Sequence, residues 1–274
     1  MKQLVLVVLV LGAAAAAFVW SRYRGSVEVS PYDLADRSLE ENATEARRIN
    51  GTVVQLGGLR AIVREPVGTN AWFLYWGGNT STYFKESLDT IAALELPESI
   101  GVLVVAPPGY DGSEGHPDPE NVPRAAIAAR DWLVNTKHAT AIVMGGFSMG
   151  ALSAIVAASP PITKGIVLLA SFTFFDTGDP SRFIRLKVPV RYVPPLDQPP
   201  PAVKALVLHG EEDDGFLPQM GKDVAKWLHA DFAPIPGCGH VAIQTHPLAI
   251  KRARKFIVER LESSPAETPP ATSP

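Results

Sequence analysis

The chain has 274 residues, 46% of them hydrophobic and 19% charged, which suits a folded core that needs no disulfide or metal staple and excludes a wholly disordered chain. Its 25 Lys and Arg against 28 Asp and Glu leave a formal net charge of -3, without the basic excess of a nucleic-acid-binding protein, so no nucleic-acid partner is expected. Cys238 is the sole cysteine, which excludes an intramolecular disulfide and any cysteine-built zinc or iron–sulfur centre within one chain.

Residues 4–20, LVLVVLVLGAAAAAFVW, form an uncharged run of 17 residues preceded by Lys2 and followed by Arg22 and Arg24. Residues 1–25 therefore read as a signal peptide or a signal anchor. Ala13–Ala17 offer a small-residue cleavage site, whereas Phe18-Val19-Trp20 extends the run to the minimum spanning length and ends it in an interfacial aromatic, which favours the uncleaved anchor. The protein is expected to be membrane-anchored or exported, and the positive charges on both flanks leave the side unspecified. Residues 26–50 are polar and charged, with a short helix expected within Leu34–Ile49, and read as a connector to a domain spanning 51–262. The tail, 263–274, carries four prolines and no aromatic residue, the composition of a disordered segment.

Within the domain, Thr52 to Leu56 and Arg60 to Arg64 flank Gly57-Gly58 as a hairpin, and Ala71 to Trp76 is a third strand. Val102 to Ala106, Ala141 to Met144, Ile166 to Ala170 and Ala205 to His209 are near-continuous apolar runs, as expected of parallel strands covered on both faces. Helices are predicted over Thr82 to Leu94, Pro123 to Asn135, Met149 to Ala158, Met220 to His229 and Leu248 to Leu261. This alternation predicts a single α/β domain with a mostly parallel central sheet flanked by helices.

Gly146-Phe147-Ser148-Met149-Gly150 lies between the strand AIVMG and the helical stretch MGALSAIVAA. A G-x-S-x-G sequence there has a mechanical reason: the glycines remove side chains that would clash in a sharp strand-to-helix turn, and Ser148 is held at its apex. A serine hydroxyl needs a base to take its proton and a third group to orient that base. Downstream, Glu211, Glu212, Asp213 and Asp214 follow the strand ALVLH, where open α/β sheets place their sites, and one of them is the candidate acid. Beyond them, Pro236-Gly237-Cys238-Gly239-His240 sets a histidine in a glycine-rich loop before the last helix.

From Thr52 to Leu261 these features, in this order, resemble the α/β-hydrolase superfamily. The family's third-strand motif is similar to Phe73-Leu74-Tyr75-Trp76-Gly77-Gly78-Asn79, with Gly77 where histidine is common. The resemblance implies an oxyanion hole made by the backbone N–H groups of Asn79 and Met149. Ala106-Pro107-Pro108-Gly109-Tyr110-Asp111-Gly112-Ser113-Glu114-Gly115 is similar to the family's loop after its fourth strand, which supplies recognition and no catalytic residue. The family's H-G-x-x-D pattern runs from His209-Gly210 to Asp213 as the acid; Pro218 falls one residue late, which keeps Asp214 as an alternative, and some members take the acid from the region of Asp176 and Asp179. Gly237, Gly239 and His240 match G-x-G-H.

Only 34 residues separate Ala170 from Ala205, too few for a large helical lid, and Phe172, Phe174, Phe175, Phe183 and Ile184 among them are candidates for an apolar acyl pocket. The remaining histidines, His116, His138, His209, His229 and His246, read as packing or surface residues. No metal-ligand spacing is present, so no metal or cofactor is expected. Sequons begin at Asn42, Asn50 and Asn79, and a glycan on Asn79 would obstruct the oxyanion loop. The reading is a serine hydrolase, carboxylesterase-like, acting on a small-molecule acyl substrate through Ser148, His240 and Asp213, with membrane contact through residues 4–20 if they are retained. A lyase or cofactor-free peroxidase on the same scaffold is the alternative enzyme, and a tethered binding module the alternative from another class.

Overall fold

The computed structural model describes residues 27–28, 39–176, 184–185 and 191–262. The apolar run 4–20, Asp179, Phe183 and the tail 263–274 lie outside them. Eight strands form one sheet: β1 (Thr52–Leu56), β2 (Leu59–Arg64), β3 (Ala71–Trp76), β4 (Ile100–Val105), β5 (Ala141–Phe147), β6 (Thr163–Leu169), β7 (Ala205–Gly210) and β8 (Asp231–Ile235). Their spatial order is β8-β7-β6-β5-β3-β4-β2-β1. The strands from β3 to β8 are parallel, while β1 and β2 form an antiparallel hairpin joined to β4 through β2.

Helix α1 (Leu39–Arg47) precedes the sheet; α2 (Tyr83–Leu94), α3 (Asn121–Asn135), α4 (Met149–Ala157), α5 (Pro218–Trp227) and α6 (Pro247–Glu262) follow its strands. Every residue of β3, β4, β5 and β7 is buried, which is why these strands read as unbroken apolar runs. Successive side chains still alternate between two cores. Phe73, Tyr75, Val102 and Val104 pack with Leu88 and Ile91 of α2 and Ile250 and Ile257 of α6, whereas Trp72, Leu74, Leu103 and Met144 meet Ala126 and Leu133 of α3 and Ala154 and Ile155 of α4. At roughly 1.5–3 kcal/mol per fully buried large apolar side chain, these two layers are the main source of stability.

The short helix expected within Leu34–Ile49 is present as α1, and one strand, β8, was not expected. The segment assigned to a connector contributes α1 to the domain: Asn42 and Ala46 are fully buried, Ile49 joins the core, and Asn42 Nδ2 donates to the Asp111 carbonyl at 3.1 Å. Residues before Gly51 therefore pack against the core. Because α1 buries only a narrow stripe between acidic and basic residues, its sequence carries little apolar periodicity. Strand β8 was not predicted, because Pro234 interrupts a short run; it lies at the sheet edge, where a missing N–H is tolerated.

The parallel strands all end on one side of the sheet. The chain passes from β3 to β4 in one direction and then returns to lay β5 on the other flank of β3, so the strand order reverses between them. Such a reversal opens a crevice at the C-terminal ends of the strands.

Candidate active site

Ser148 sits between β5 and α4 with φ 53° and ψ -119°, a left-handed conformation that costs a non-glycine residue about 1–3 kcal/mol. The surrounding packing enforces it. A Cβ on Gly146 would lie 2.3 Å from the Gly150 carbonyl oxygen, and one on Gly150 would lie 2.2 Å from that of Trp76. The two glycines let the turn close against the end of β3, while the Ser148 N–H is tied to the Leu169 carbonyl at 2.9 Å.

His240 follows β8 and reaches back to this turn. Its Nε2 lies 3.0 Å from Ser148 Oγ and its Nδ1 lies 2.8 Å from Asp213 Oδ2. An ionised carboxylate only accepts, so Nδ1 carries the proton and the Nε2 lone pair faces the serine hydroxyl. The imidazole is held between two rings, with Phe147 at a centroid distance of 5.1 Å and Phe216 edge-on at 5.0 Å.

Asp213 lies in the turn after β7 and is buried, whereas Glu211, Glu212 and Asp214 are exposed. Oδ1 accepts the Phe216 N–H at 2.7 Å, and Oδ2 accepts from His240 and, at 3.2 Å, from His209 Nε2. Burial by itself would push this carboxyl up, but the hydrogen bonds from His209, His240 and Phe216, with the nearby charge of His240, outweigh it and hold the group well below the usual carboxylate range. Of the two adjacent aspartates, Asp213 is the one that contacts His240.

The loop after β3 comes down beside the serine: a Cβ on Gly78 would stand 3.3 Å from Ser148 Cβ. Tyr83 OH receives the Gly77 N–H at 2.7 Å and donates to the Val105 carbonyl at 2.9 Å, and Tyr110 OH donates to Asn79 Oδ1 at 2.7 Å. Met149 heads α4, among the first-turn amides that have no intrahelical acceptor. Ser148, Asn79 and Met149 thus converge at the strand reversal, joined from the neighbouring loops by Asp213 and His240.

Several solved structures share this architecture. Est1E from Butyrivibrio proteoclasticus aligns with a TM-score of 0.61 at 17% identity, over 77% of this chain and 99% of its own. A hormone-sensitive lipase from a metagenome library gives 0.61 at 16% identity, over 90% and 98%. The lidless serine hydrolase XC6422 from Xanthomonas campestris gives 0.56 at 18% identity, over 80% and 97%. The chain has the α/β-hydrolase fold. No protein-family model and no curated protein matches its sequence.

The predicted Ser148, Asp213 and His240 occupy the loops after β5, β7 and β8, in the order of the α/β-hydrolase fold. Sequence reasoning assigned His209 to packing and so missed its contact with Asp213; the signal was its spacing of four residues from the acid. It also gave the loop after β4 no part in the site, although Tyr110 reaches Asn79 from there. Of the candidate acyl-pocket residues, Phe172 is buried against Phe216 at a centroid distance of 4.9 Å. Among the described residues no group of His, Cys, Asp and Glu could hold a metal ion, and no helix is long and apolar enough to cross a membrane.

Proposed function

We propose that this protein is a serine hydrolase that cleaves acyl esters. The observation that carries the reading is the continuous hydrogen-bonded line from Ser148 Oγ through both nitrogens of His240 to Asp213, set at the apex of a left-handed strand-to-helix turn. Ser148 Oγ attacks the acyl carbonyl while His240 Nε2 takes the hydroxyl proton, and the N–H groups of Met149 and Asn79 receive the developing oxyanion. Collapse of the tetrahedral intermediate expels the alcohol, which takes its proton from His240. Water activated by the same nitrogen then releases the acid and restores the serine. Asp213 holds the imidazole in the required tautomer and compensates the imidazolium that forms.

Phe147, Phe172 and Phe216, gathered at His240 and behind it, suit an apolar acyl group. Esters are favoured because this set of groups suffices for them, and Est1E and the lipase share the fold. The run 4–20 is proposed to export the domain or tether it to a membrane. The deciding test is mass spectrometry after exposure to a fluorophosphonate, followed by turnover of p-nitrophenyl esters of increasing chain length. A single adduct on Ser148, absent from a folded Ser148→Ala variant that also lacks turnover, is expected. A folded wild-type protein that takes no adduct would remove the reading.

A further inference from the structure

His209 is a fully buried, ionisable side chain that the proposed mechanism leaves without a task. It lies at the end of β7, four residues before Asp213, and its Nε2 is 2.8 Å from the Phe216 carbonyl oxygen and 3.2 Å from Asp213 Oδ2. A backbone carbonyl only accepts, so Nε2 carries a proton and shares it between these two oxygens. Nδ1 is buried with no hydrogen-bond partner and faces α5, where a Cβ on Gly221 would approach it to 2.3 Å. A proton on Nδ1 would be a buried donor without an acceptor, so the ring is the neutral Nε2–H tautomer.

We propose that His209 is a positioning residue for the acid of the triad, acting through Asp213 on His240. This proposal rests on the serine hydrolase reading. A carboxylate turns easily about its last torsion unless its lone pairs are fixed, and a carboxylate that turns no longer points a lone pair at one imidazole nitrogen. Asp213 is fixed on both oxygens: the Phe216 N–H holds Oδ1, and His209 takes the side of Oδ2 that His240 leaves open. The same imidazole also binds the Phe216 carbonyl, so one side chain closes the turn that carries the acid and aims its carboxylate. Gly221 completes the arrangement, because any larger residue at that place on α5 would push the ring off both oxygens. The low position of the Asp213 carboxyl, to which His209 contributes, agrees with a donor spent on the charged form.

The test compares His209→Leu, which fills the site and removes the donor, with His209→Gln, whose amide nitrogen reaches a similar point. In the leucine variant kcat and the rate of fluorophosphonate capture at Ser148 are expected to fall roughly tenfold to a hundredfold, with KM within about twofold of wild type. Glutamine should restore most of the loss. The proton shared by His240 Nδ1 and Asp213 should give a strongly deshielded NMR resonance in wild type and the glutamine variant, broadened or lost in the leucine variant; a purely structural residue would not restore it in this pattern. A folded leucine variant with wild-type capture and an intact resonance would overturn the proposal. If leucine prevents folding, Gly221→Ala displaces the ring while leaving His209 in the chain, and unchanged capture with an unchanged resonance there overturns it equally. Wild-type protein that takes no adduct would sink the hydrolase reading, whereas the resonance still reports whether His209 aims Asp213.

Discussion

Asp213 owes its behaviour to three N–H groups gathered in a place where water is scarce. Asp214, its neighbour in sequence, faces solvent. Replacing Asp213 with Asn should lower kcat by roughly a thousandfold or more by favouring the wrong tautomer of His240. Asp214→Asn should stay within about twofold of wild type, as surface substitutions do. Steady-state ester kinetics would rank the two, and the reverse order would transfer the orienting role. The depressed carboxyl of Asp213 also has a thermodynamic sign. Its folded-state pKa lies below the unfolded value of about 3.9, so the ionised group stabilises the fold fully above that value, and the contribution is lost as pH falls towards the folded value. Thermal unfolding followed from about pH 5 down to pH 3 should therefore show a smaller loss for Asp213→Asn than for wild type.

At the scale of elements, α2 depends on a side chain from another loop. Thr82, at its N-cap position, makes no side-chain capping bond, and the Phe84 N–H is instead received by Asp111 Oδ2 at 2.7 Å. Asp111→Ala should lower stability by about 1 kcal/mol, a drop in Tm of roughly 2–4 °C for a domain of this size. It should also reduce kcat, since α2 carries Tyr83, the residue that pins Gly77 in the proposed oxyanion loop. Calorimetry and ester kinetics on that one variant check both. This link was invisible in the sequence, where Asp111 reads as one residue of a recognisable loop, because capping across a distance in the chain leaves no local pattern. The buried strands were legible for the opposite reason: β3, β4, β5 and β7 are covered on both faces, and burial on both faces writes itself as a continuous apolar run. The serine turn was legible through its two glycines, which the close approach of Gly150 and Trp76 requires. Which of two adjacent aspartates faces the histidine depends on the direction of one loop residue, and no composition encodes it.

Across the whole molecule, the site exists only when distant stretches of chain meet. Ser148 and His240 are 92 positions apart, and α1, from before the expected domain start, touches the loop that holds α2. A chain beginning at Ser26 should be soluble without detergent, fold, and react at Ser148. One beginning at Gly51 loses Asn42, Ala46 and Ile49 from the buried interior and should unfold several degrees lower, by roughly 2–4 °C for each kcal/mol removed. Scanning calorimetry of the two chains would show whether α1 is part of the cooperative unit, and identical melting would assign it to a dispensable leader.

The left-handed backbone at Ser148 sets folding and chemistry against each other at one position. Glycine would occupy that conformation without strain, so natural selection acting on robustness alone has a standing reason to discard the hydroxyl. A screen that rewards whatever relaxes the backbone would favour loss of the proposed nucleophile, while leaving the architecture around it sound.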